Sequence, residues 1–587
     1  MVNSQNNIEN LPSGTLRQKI FHNFRSLYSN EYTFLIFFAI LIGVLGGLSN
    51  FVFVLTYETI YENVIKPFWS TPYIVFVLLS GAVVLYLLSK IFSSVQLLGY
   101  GFPRFLEKIN LSRGYISLRS TFGKSLGACA SLGFGGSAGQ EGPIAQLGGA
   151  LGSLVGQIIH LSRSKTRVFI ACGIASAIAS TFNAPITGVL FAQEIALFRD
   201  FKIGSFIPIV ISSAVGTVIS QSLTGIEPIF SVPPYLFINY YELLFYSLLG
   251  LIIGVYSSLF VFVYFKIKDL FESLKFGVLI KLLIGGLCIG VVGIFFPYIL
   301  GNGYELTEKA LQDKFTLWIL VGLILLKPLA TSITLNSGWP GGIFAPTLFV
   351  GAALGNAYGM FVEKFINSPF NLSTSYATVA MGALLAALTQ APLTSIFLIF
   401  ELTHSYQVVI PIMITSVLSW VVSRIIVGGS IESLELRRLG VNVDESSEEL
   451  ILRKIKVRDI MKKKVETIPE NMTLRKLIEL IPKSIHTTFP LVDSNGLLSG
   501  IISVQDIREL LFEESVKDIV VVKEIATLKV ISITPDQTLY NVMNIWGNKP
   551  GHILPVVESK HSKKIVGYIT KKDFIAAYNK AITEIVD

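Results

Sequence analysis

The chain has 587 residues, 52% of them hydrophobic and only 15% charged, with a formal net charge of +8 and a mean hydropathy of +0.63. Soluble globular proteins carry about 25% charged residues, so this composition excludes a soluble fold for most of the length. The basic excess does not interleave with aromatics as a nucleic-acid surface would, and Cys129, Cys172 and Cys288 lie in apolar segments that imply neither disulfides nor a metal site.

In chain order, the first thirty residues are polar, show no signal peptide and place Arg17, Lys19 and Arg25 ahead of the first apolar run. The positive-inside rule predicts a cytoplasmic segment over 1–32. Uncharged runs follow at 33–57, 71–89, 168–193, 243–265, 282–304 and 405–423. Each reaches the ~20 residues a helix needs to cross hydrocarbon. The stretches 328–362 and 365–400 are longer and contain Pro and Gly, which predicts broken helices. The fold class is therefore an α-helical polytopic membrane protein, multi-pass and lipid-embedded. After Val443 the composition becomes that of a soluble α/β domain.

An internal repeat organises the apolar part. Shifted by 203 residues, 124–152 falls on 327–355 with ten of twenty-nine pairs identical, among them Lys124/Lys327, Gly135/Gly338, Gly139/Gly342 and Pro143/Pro346. With a shift of 207, "NAPITGVLFAQE" (183–194) falls on "QAPLTSIFLIFE" (390–401). Repeats of this kind in membrane proteins mark transport folds, whose sites lie where interrupted helices meet near the midplane. The repeat thus points to 135–142 and 338–346 as one site. In both, a Gly-rich loop runs into Pro, a residue suited to a first helical turn. Two such N-termini, with bare amides and positive dipole ends, make an anion site. Gly139, Gln140, Gly142, Gly342, Ile343, Phe344 and Ala345 are its candidate residues. For Gly148–Gly152 the alternative reading, close helix packing, is preferred.

Glu141 stands at one of these N-termini, where its carboxylate can occupy the anion site as a tethered competitor. Protonated, it loses that attraction and swings out, which makes a gate sensitive to protons and to the permeant anion. The competing reading is a Glu that merely complements the helix dipole.

"GQEGP" (139–143), "GIFAP" (342–346), "NAP" before an apolar helix and a charged C-terminal domain resemble the CLC family of chloride channels and proton-coupled chloride transporters. The resemblance implies the CLC fold, with inverted-topology halves, about 18 helices and homodimers in which each subunit has its own pathway for chloride or other small anions. It assigns 33–429 to the transport domain, with halves at about 33–230 and 235–429, and gives Glu141 the gating role. It also places the backbone amides of Ile343 and Phe344 on the central anion. Dimerisation is expected through the apolar helices that follow the two Ala-Pro elements, and the N- and C-termini are expected to be cytoplasmic.

The chain departs from the family in three places. The family's G-S-G-x-P signature reads "GYGFP" at 99–103, so Tyr100, beside Gly101, replaces a serine that donates to the anion. A phenol also donates a hydrogen bond. The family's pore tyrosine near the last membrane helix has no counterpart in "GGSIESLELRR" (428–438), which offers Glu432. A carboxylate there would repel anions, so the segment is expected to lie elsewhere or the role to be dropped, with Tyr100 supplying the hydroxyl. Finally, the inner proton-glutamate position falls on Ile195, one residue after Glu194. An aliphatic side chain relays no proton, which favours a channel-like or weakly proton-coupled pathway. The alternative is a proton/chloride antiporter with a non-standard internal proton path through water or a neighbouring acid such as Glu194.

After a linker over 430–456, two similar stretches follow, 457–514 and 515–587. "GIISVQD" (500–506) is echoed by "GYITKKD" (567–573), each after a strand-turn-strand pattern. This resembles a tandem CBS-domain pair, a module that binds adenine nucleotides in many proteins, with Ser503 and Thr570 on phosphate and Asp506 and Asp573 on ribose. The same residues also simply cap helices. An adenine nucleotide is the one cofactor implied, and transport itself requires none. A CBS-regulated divalent-cation transporter is the remote alternative, but it would need midplane carboxylate clusters. A membrane-embedded enzyme would need a nucleophile–base or metal-ligand set, and the six histidines show no H-x-x-x-H spacing.

Overall fold

The computed structural model describes residues 31–69, 71–92, 97–111, 114–198, 203–226, 230, 240–364, 372–441, 452–453, 455–484, 486–548, 553–559 and 562–586. The predicted N-terminal segment, but for its last two residues, and most of the 442–456 part of the linker lie outside these. The chain divides into two units, Met1–Val443 and Asp444–Asp587.

In the first unit, α1 (Glu31–Ile60), α2 (Ile74–Ile91), α3 (Phe102–Leu111), α4 (Leu118–Gly133), α5 (Glu141–Ile158), α6 (Arg163–Phe182), α7 (Pro185–Phe191) and α8 (Ile203–Thr224) form one half. The second half is α9 (Glu242–Ser273), α10 (Val278–Phe295), α11 (Tyr304–Leu311), α12 (Leu317–Asn336), α13 (Phe344–Val362), α14 (Leu372–Thr389), α15 (Pro392–Thr403) and α16 (Val409–Val427), and α17 (Ile431–Arg438) follows it. Each helix corresponds to the one eight places later. In the first half α5 packs on α6, α6 on α8 and α1 on α8; in the second α13 packs on α14, α14 on α16 and α9 on α16. Among the described residues nine helical segments are long and apolar enough to span a membrane. The small-residue seams explain the close packing. A Cβ on Gly152 would lie 2.0 Å from the Phe169 carbonyl oxygen, and one on its repeat mate Gly355 would lie 2.3 Å from that of Tyr376.

One predicted element differs. The run 168–193 is not one helix: Asn183, in the left-handed region at φ 53°, ends α6, and Pro185 opens α7 at its first turn. The broken helix predicted over 328–362 is present, with α12 ending at Asn336 and α13 starting at Phe344, and Pro328 lies inside α12. Proline frees the carbonyl four residues back, and the Tyr256 hydroxyl donates to that oxygen, on Ile324.

The two Ala-Pro elements hold the halves together reciprocally. Glu194 accepts from the Thr394 amide and hydroxyl, both at 2.8 Å, at the start of α15. Glu401 accepts from the Thr187 amide at 2.7 Å and hydroxyl at 2.6 Å, and from the Ile186 amide at 2.8 Å, at the start of α7. Each half thus supplies the carboxylate that caps the other half's helix.

The second unit contains α18 (Val457–Ile460), β1 (Ile468–Pro469), α19 (Leu474–Leu480), β2 (Thr488–Val492) and β3 (Leu498–Ser503), then α20 (Val522–Ile525), α21 (Leu539–Asn548), β4 (Ile553–Val557), β5 (Ile565–Thr570) and α22 (Lys571–Val586). β2 pairs antiparallel with β3 and parallel with β1, and β4 pairs antiparallel with β5. Phe489, Leu491 and Ile502 sit in one core, Leu554, Val556 and Ile569 in another.

Candidate functional site

The repeat-related Gly loops meet face to face. Gly139 and Gly342 form a two-residue antiparallel bridge, each amide donating to the other's carbonyl at 2.7 Å. The loops enter this bridge through Gly135 (φ 95°) and Gly338 (φ 109°), a backbone conformation that side chains rarely tolerate. They leave it into α5 and α13, whose first residues are the repeat mates Glu141 and Phe344. Sequence-predicted Gly139, Gln140, Gly142, Gly342, Ile343, Phe344 and Ala345 are all buried and all gathered here.

Glu141 folds back onto the site. One carboxylate oxygen accepts from the Ala345 amide at 3.3 Å, and the other accepts from the Tyr304 hydroxyl at 2.6 Å. A Cβ on Gly139 would point at that first oxygen from 2.5 Å, with the Ala345 and Phe344 nitrogens 2.9 and 3.3 Å away. Only a glycine at 139 leaves that space for an acceptor. A charged side chain at the bilayer centre costs about 2.5–3.5 kcal/mol on insertion scales. Hydrogen bonds to charged groups return about 1.5–3 kcal/mol each, so two donors and a helix N-terminus offset the cost.

Tyr304 was not among the sequence candidates, although a signal for it existed. "LGNGYE" (300–305) echoes "LGYGFP" (98–103) at a shift of 202, and the structure treats the two loops alike. Gly99 donates to the Gly338 carbonyl at 2.8 Å, and its mate Gly301 donates to the Gly135 carbonyl at 3.3 Å. The paired lysines behave likewise. Lys327 donates to the Ile299 and Gly301 carbonyls, both at 2.8 Å, and a Cβ on Gly101 would fall 1.3 Å from the Lys124 ammonium nitrogen.

Glu432 requires a correction. The expectation that its segment lies elsewhere fails: Glu432 is buried and lines a cavity of about 10 Å³ together with Tyr100, Gly142, Ile195, Gly342, Ile343 and Phe344. The Tyr100 hydroxyl donates to the Glu432 carboxylate. The Tyr100 phenol donor and the first turn of short α17 offset part of the cost of burying this carboxylate, which a bare one would bear in full. Ile195 sits in a π-helical turn, Ala192–Ala196, and faces this cavity. Glu194 does not; its carboxylate caps α15.

Beyond Tyr100 a vestibule of about 410 Å³ opens, lined by Tyr100, Gly101, Arg104, Lys108, Lys124, Lys268 and Lys281 against Glu272 and Glu435. Its basic excess concentrates anions at the mouth. At the Tyr304 end a second cavity, of about 350 Å³, carries Lys66 and Lys309 with Glu305. The cavity of about 10 Å³ between them holds roughly one water, so the path is closed there.

In the second unit, Ser503 and Thr570 turn to their own Asp partners. The Ser503 amide and hydroxyl donate to Asp506 at 2.7 and 2.8 Å, and the Thr570 hydroxyl donates to Asp573 at 2.6 Å. The Lys462 ammonium lies 2.9 Å from the other Asp573 oxygen. Burial pushes the Asp573 carboxyl up, but Thr570 and Lys462 outweigh it and hold it below the usual range. The Thr570 contacts cap α22, whereas the Ser503 contacts close a turn, because 504–512 form turns and not a helix.

Interrupted helices meeting N-terminus to N-terminus between two vestibules, in a membrane unit built from two matched halves, define an anion-transport fold. The chain belongs to the CLC family: the model described as "Voltage gated chloride channel" matches residues 80–424, and the CBS-domain model matches 457–513 and 522–580. Over 326 residues it is 36% identical to a ClcB-like chloride channel protein of Ralstonia nicotianae, covering 55% of this chain and 76% of that one. An H(+)/Cl(-) exchange transporter, ClcA, of Klebsiella pneumoniae is 33% identical over 54% of this chain and 68% of its own. Among solved structures, a slow cyanobacterial Cl-/H+ antiporter matches with a TM-score of 0.64 and 25% identity, over 69% of this chain and 97% of that one. A eukaryotic CLC transporter shares the fold over 92% of this chain and 97% of that one, with a TM-score of 0.62 and 20% identity.

Proposed function

We propose that this chain carries chloride along the path from the Tyr304 cavity, past the Gly139–Gly342 bridge, to the Tyr100 vestibule, with Glu141 as its gate. The observation that carries this reading is the Glu141 carboxylate lying on the Ala345 amide, in the space a permeant anion would take. Protonation of Glu141 weakens that hold and frees the amides for chloride. The Tyr100 end is taken as cytoplasmic, since Arg104, Lys108, Lys268 and Lys281 line it.

With Ile195 at the inner position, the pathway is channel-like or weakly coupled to protons. The second reading, proton/chloride antiport along a non-standard internal path, is favoured by one observation, the buried Glu432 beside Ile195. Liposomes with an imposed chloride gradient and an external pH electrode separate the two. Uphill proton movement at a fixed ratio to chloride, abolished by an uncoupler, would establish the antiporter and refute the channel-like reading. The names of several relatives point the same way as the second reading.

The partner is a second copy of the chain. Ile186 on α7, Phe206 and Ile207 on α8, and Leu393 on α15 are large apolar residues exposed on the elements that follow the two Ala-Pro turns, and a homodimer would cover them. A monodisperse monomer in mild detergent, active after reconstitution, would refute this. An adenine nucleotide at Ser503, Asp506, Thr570 and Asp573 is a regulatory proposal only; equal ATP binding by the wild type and Thr570→Ala/Asp573→Asn would remove it.

A further inference from the structure

The path ends on a tyrosine–carboxylate pair at each side. At the Tyr304 end the Tyr304 hydroxyl donates to Glu141; at the Tyr100 end the Tyr100 hydroxyl donates to Glu432. The two tyrosines come from the repeat-related loops 99–103 and 301–305, each pinned to the opposite Gly loop by a glycine amide. Tyr100 lines both the small cavity and the vestibule, so its pair with Glu432 lies at the boundary between them.

The structural carboxylates Glu194 and Glu401 each accept from several amides and a threonine hydroxyl of the opposite half. Glu435, one turn further along α17, is paired: Lys268 approaches it to 2.6 Å, and the Tyr264 hydroxyl donates to it at 3.3 Å. For Glu432, among the described residues, no basic side chain comes within ion-pair distance. The titratable groups that face it are Tyr100, just ahead of α3, Tyr264 on α9 and Glu435 on its own helix, whereas Arg104, Lys108, Lys124 and Lys268 line the vestibule on the far side of Tyr100. From α14 it meets Thr389, which does not titrate.

We propose that Glu432 is a second tethered carboxylate of the pathway, a cytoplasmic-side gate that admits the anion when protonated, with Tyr100 as its positioning residue. The inference rests on the chloride-pathway reading above. A proton from the vestibule adds to a Glu432 carboxylate oxygen, the charge is lost, and the anion passes from the vestibule toward the Phe344 and Ala345 amides; reversing the step closes the path. The magnitude is sufficient. Two unit charges ~4 Å apart at an effective dielectric of ~20 change anion occupancy on the order of a thousandfold.

The test is radiolabelled-chloride flux in membrane vesicles of known orientation, with the pH of one face varied and the other held. As the cytoplasmic-face pH rises above the midpoint, wild-type flux falls about tenfold per pH unit, the slope of a single proton. Glu432→Gln, isosteric and still able to accept from Tyr100, abolishes that dependence and keeps the dependence on the opposite face. Tyr100→Phe keeps the dependence and displaces its midpoint by about one to two pH units, the equivalent of one hydrogen bond to a charged group. A cytoplasmic-face profile in Glu432→Gln like that of the wild type overturns the proposal. So does a wild-type flux flat in cytoplasmic-face pH, which settles the matter even if the variant does not fold. Glu141→Gln is the separating arm: if it retains the opposite-face dependence, the Glu141 reading fails while the Glu432 result stands by itself.

Discussion

Gly139→Ala places a methyl group in the proposed anion site while leaving the backbone unstrained, because Gly139 is not among the residues with positive φ. The added carbon would lie 2.5 Å from the Glu141 oxygen and 2.9 Å from the Ala345 nitrogen, where ordinary contact begins at 3.4 Å. The acceptor must therefore retreat by about 0.9 Å, whereas the Ala345 bond is already at 3.3 Å, the long end of N–H···O geometry. That bond is lost. A hydrogen bond to a charged group contributes about 1.5–3 kcal/mol, so chloride in the same place binds about 10- to 150-fold more weakly. The assay is isothermal titration of chloride in Glu141→Gln, where the tethered competitor is neutral, against Glu141→Gln/Gly139→Ala. Gly204→Ala is the control, since a Cβ there meets nothing within 4 Å. Equal chloride affinity with and without Gly139→Ala would refute the placement of the anion.

Glu194→Gln and Glu401→Gln each leave three donors of the opposite half with a weaker acceptor. Each should cost about 1–3 kcal/mol and lower the thermal midpoint in detergent by similar amounts; an unchanged midpoint in either would contradict reciprocal capping. In the second unit, the depressed Asp573 carboxyl contributes stability that is fully present above the ordinary carboxylate value of about 3.9 and is lost as pH falls through the lower folded value. Hydrogen exchange at the start of α22 in the full chain should therefore stay protected from neutral pH down to about pH 4 and open only below it, whereas Asp573→Asn should exchange faster throughout.

Much of the candidate site's backbone geometry was legible because the repeat acts on backbone, and backbone demands show in sequence as Gly and Pro. Gly139 and Gly342 are matched since each amide must reach the other's carbonyl, and Pro143 and Pro346 are matched since each enters a first helical turn. Side-chain partners across the two halves were less legible. Tyr304 is separated from Glu141 by 163 positions, and no local period reports such a contact; only the faint "LGNGYE" echo does. Glu194 looked like a spare acid because its function, capping α15, depends on how the halves face each other. Glu432 was read by its charge alone, and an isolated carboxylate does belong outside an anion path; Tyr100, 332 positions away, changes that reading by donating to it. The break of 168–193 was hidden because Asn183–Pro185 punctuates an otherwise unbroken apolar run, and composition averages over such punctuation.

The central claim is that a carboxylate on the α13 amides competes with chloride for the same place, and Glu141→Ala tests it most directly. Chloride flux from proteoliposomes, measured across external pH in the wild type and the variant, should show a pathway that stays open in Glu141→Ala with its external pH dependence gone. A variant whose flux remains as sensitive to external pH as the wild type would contradict the account.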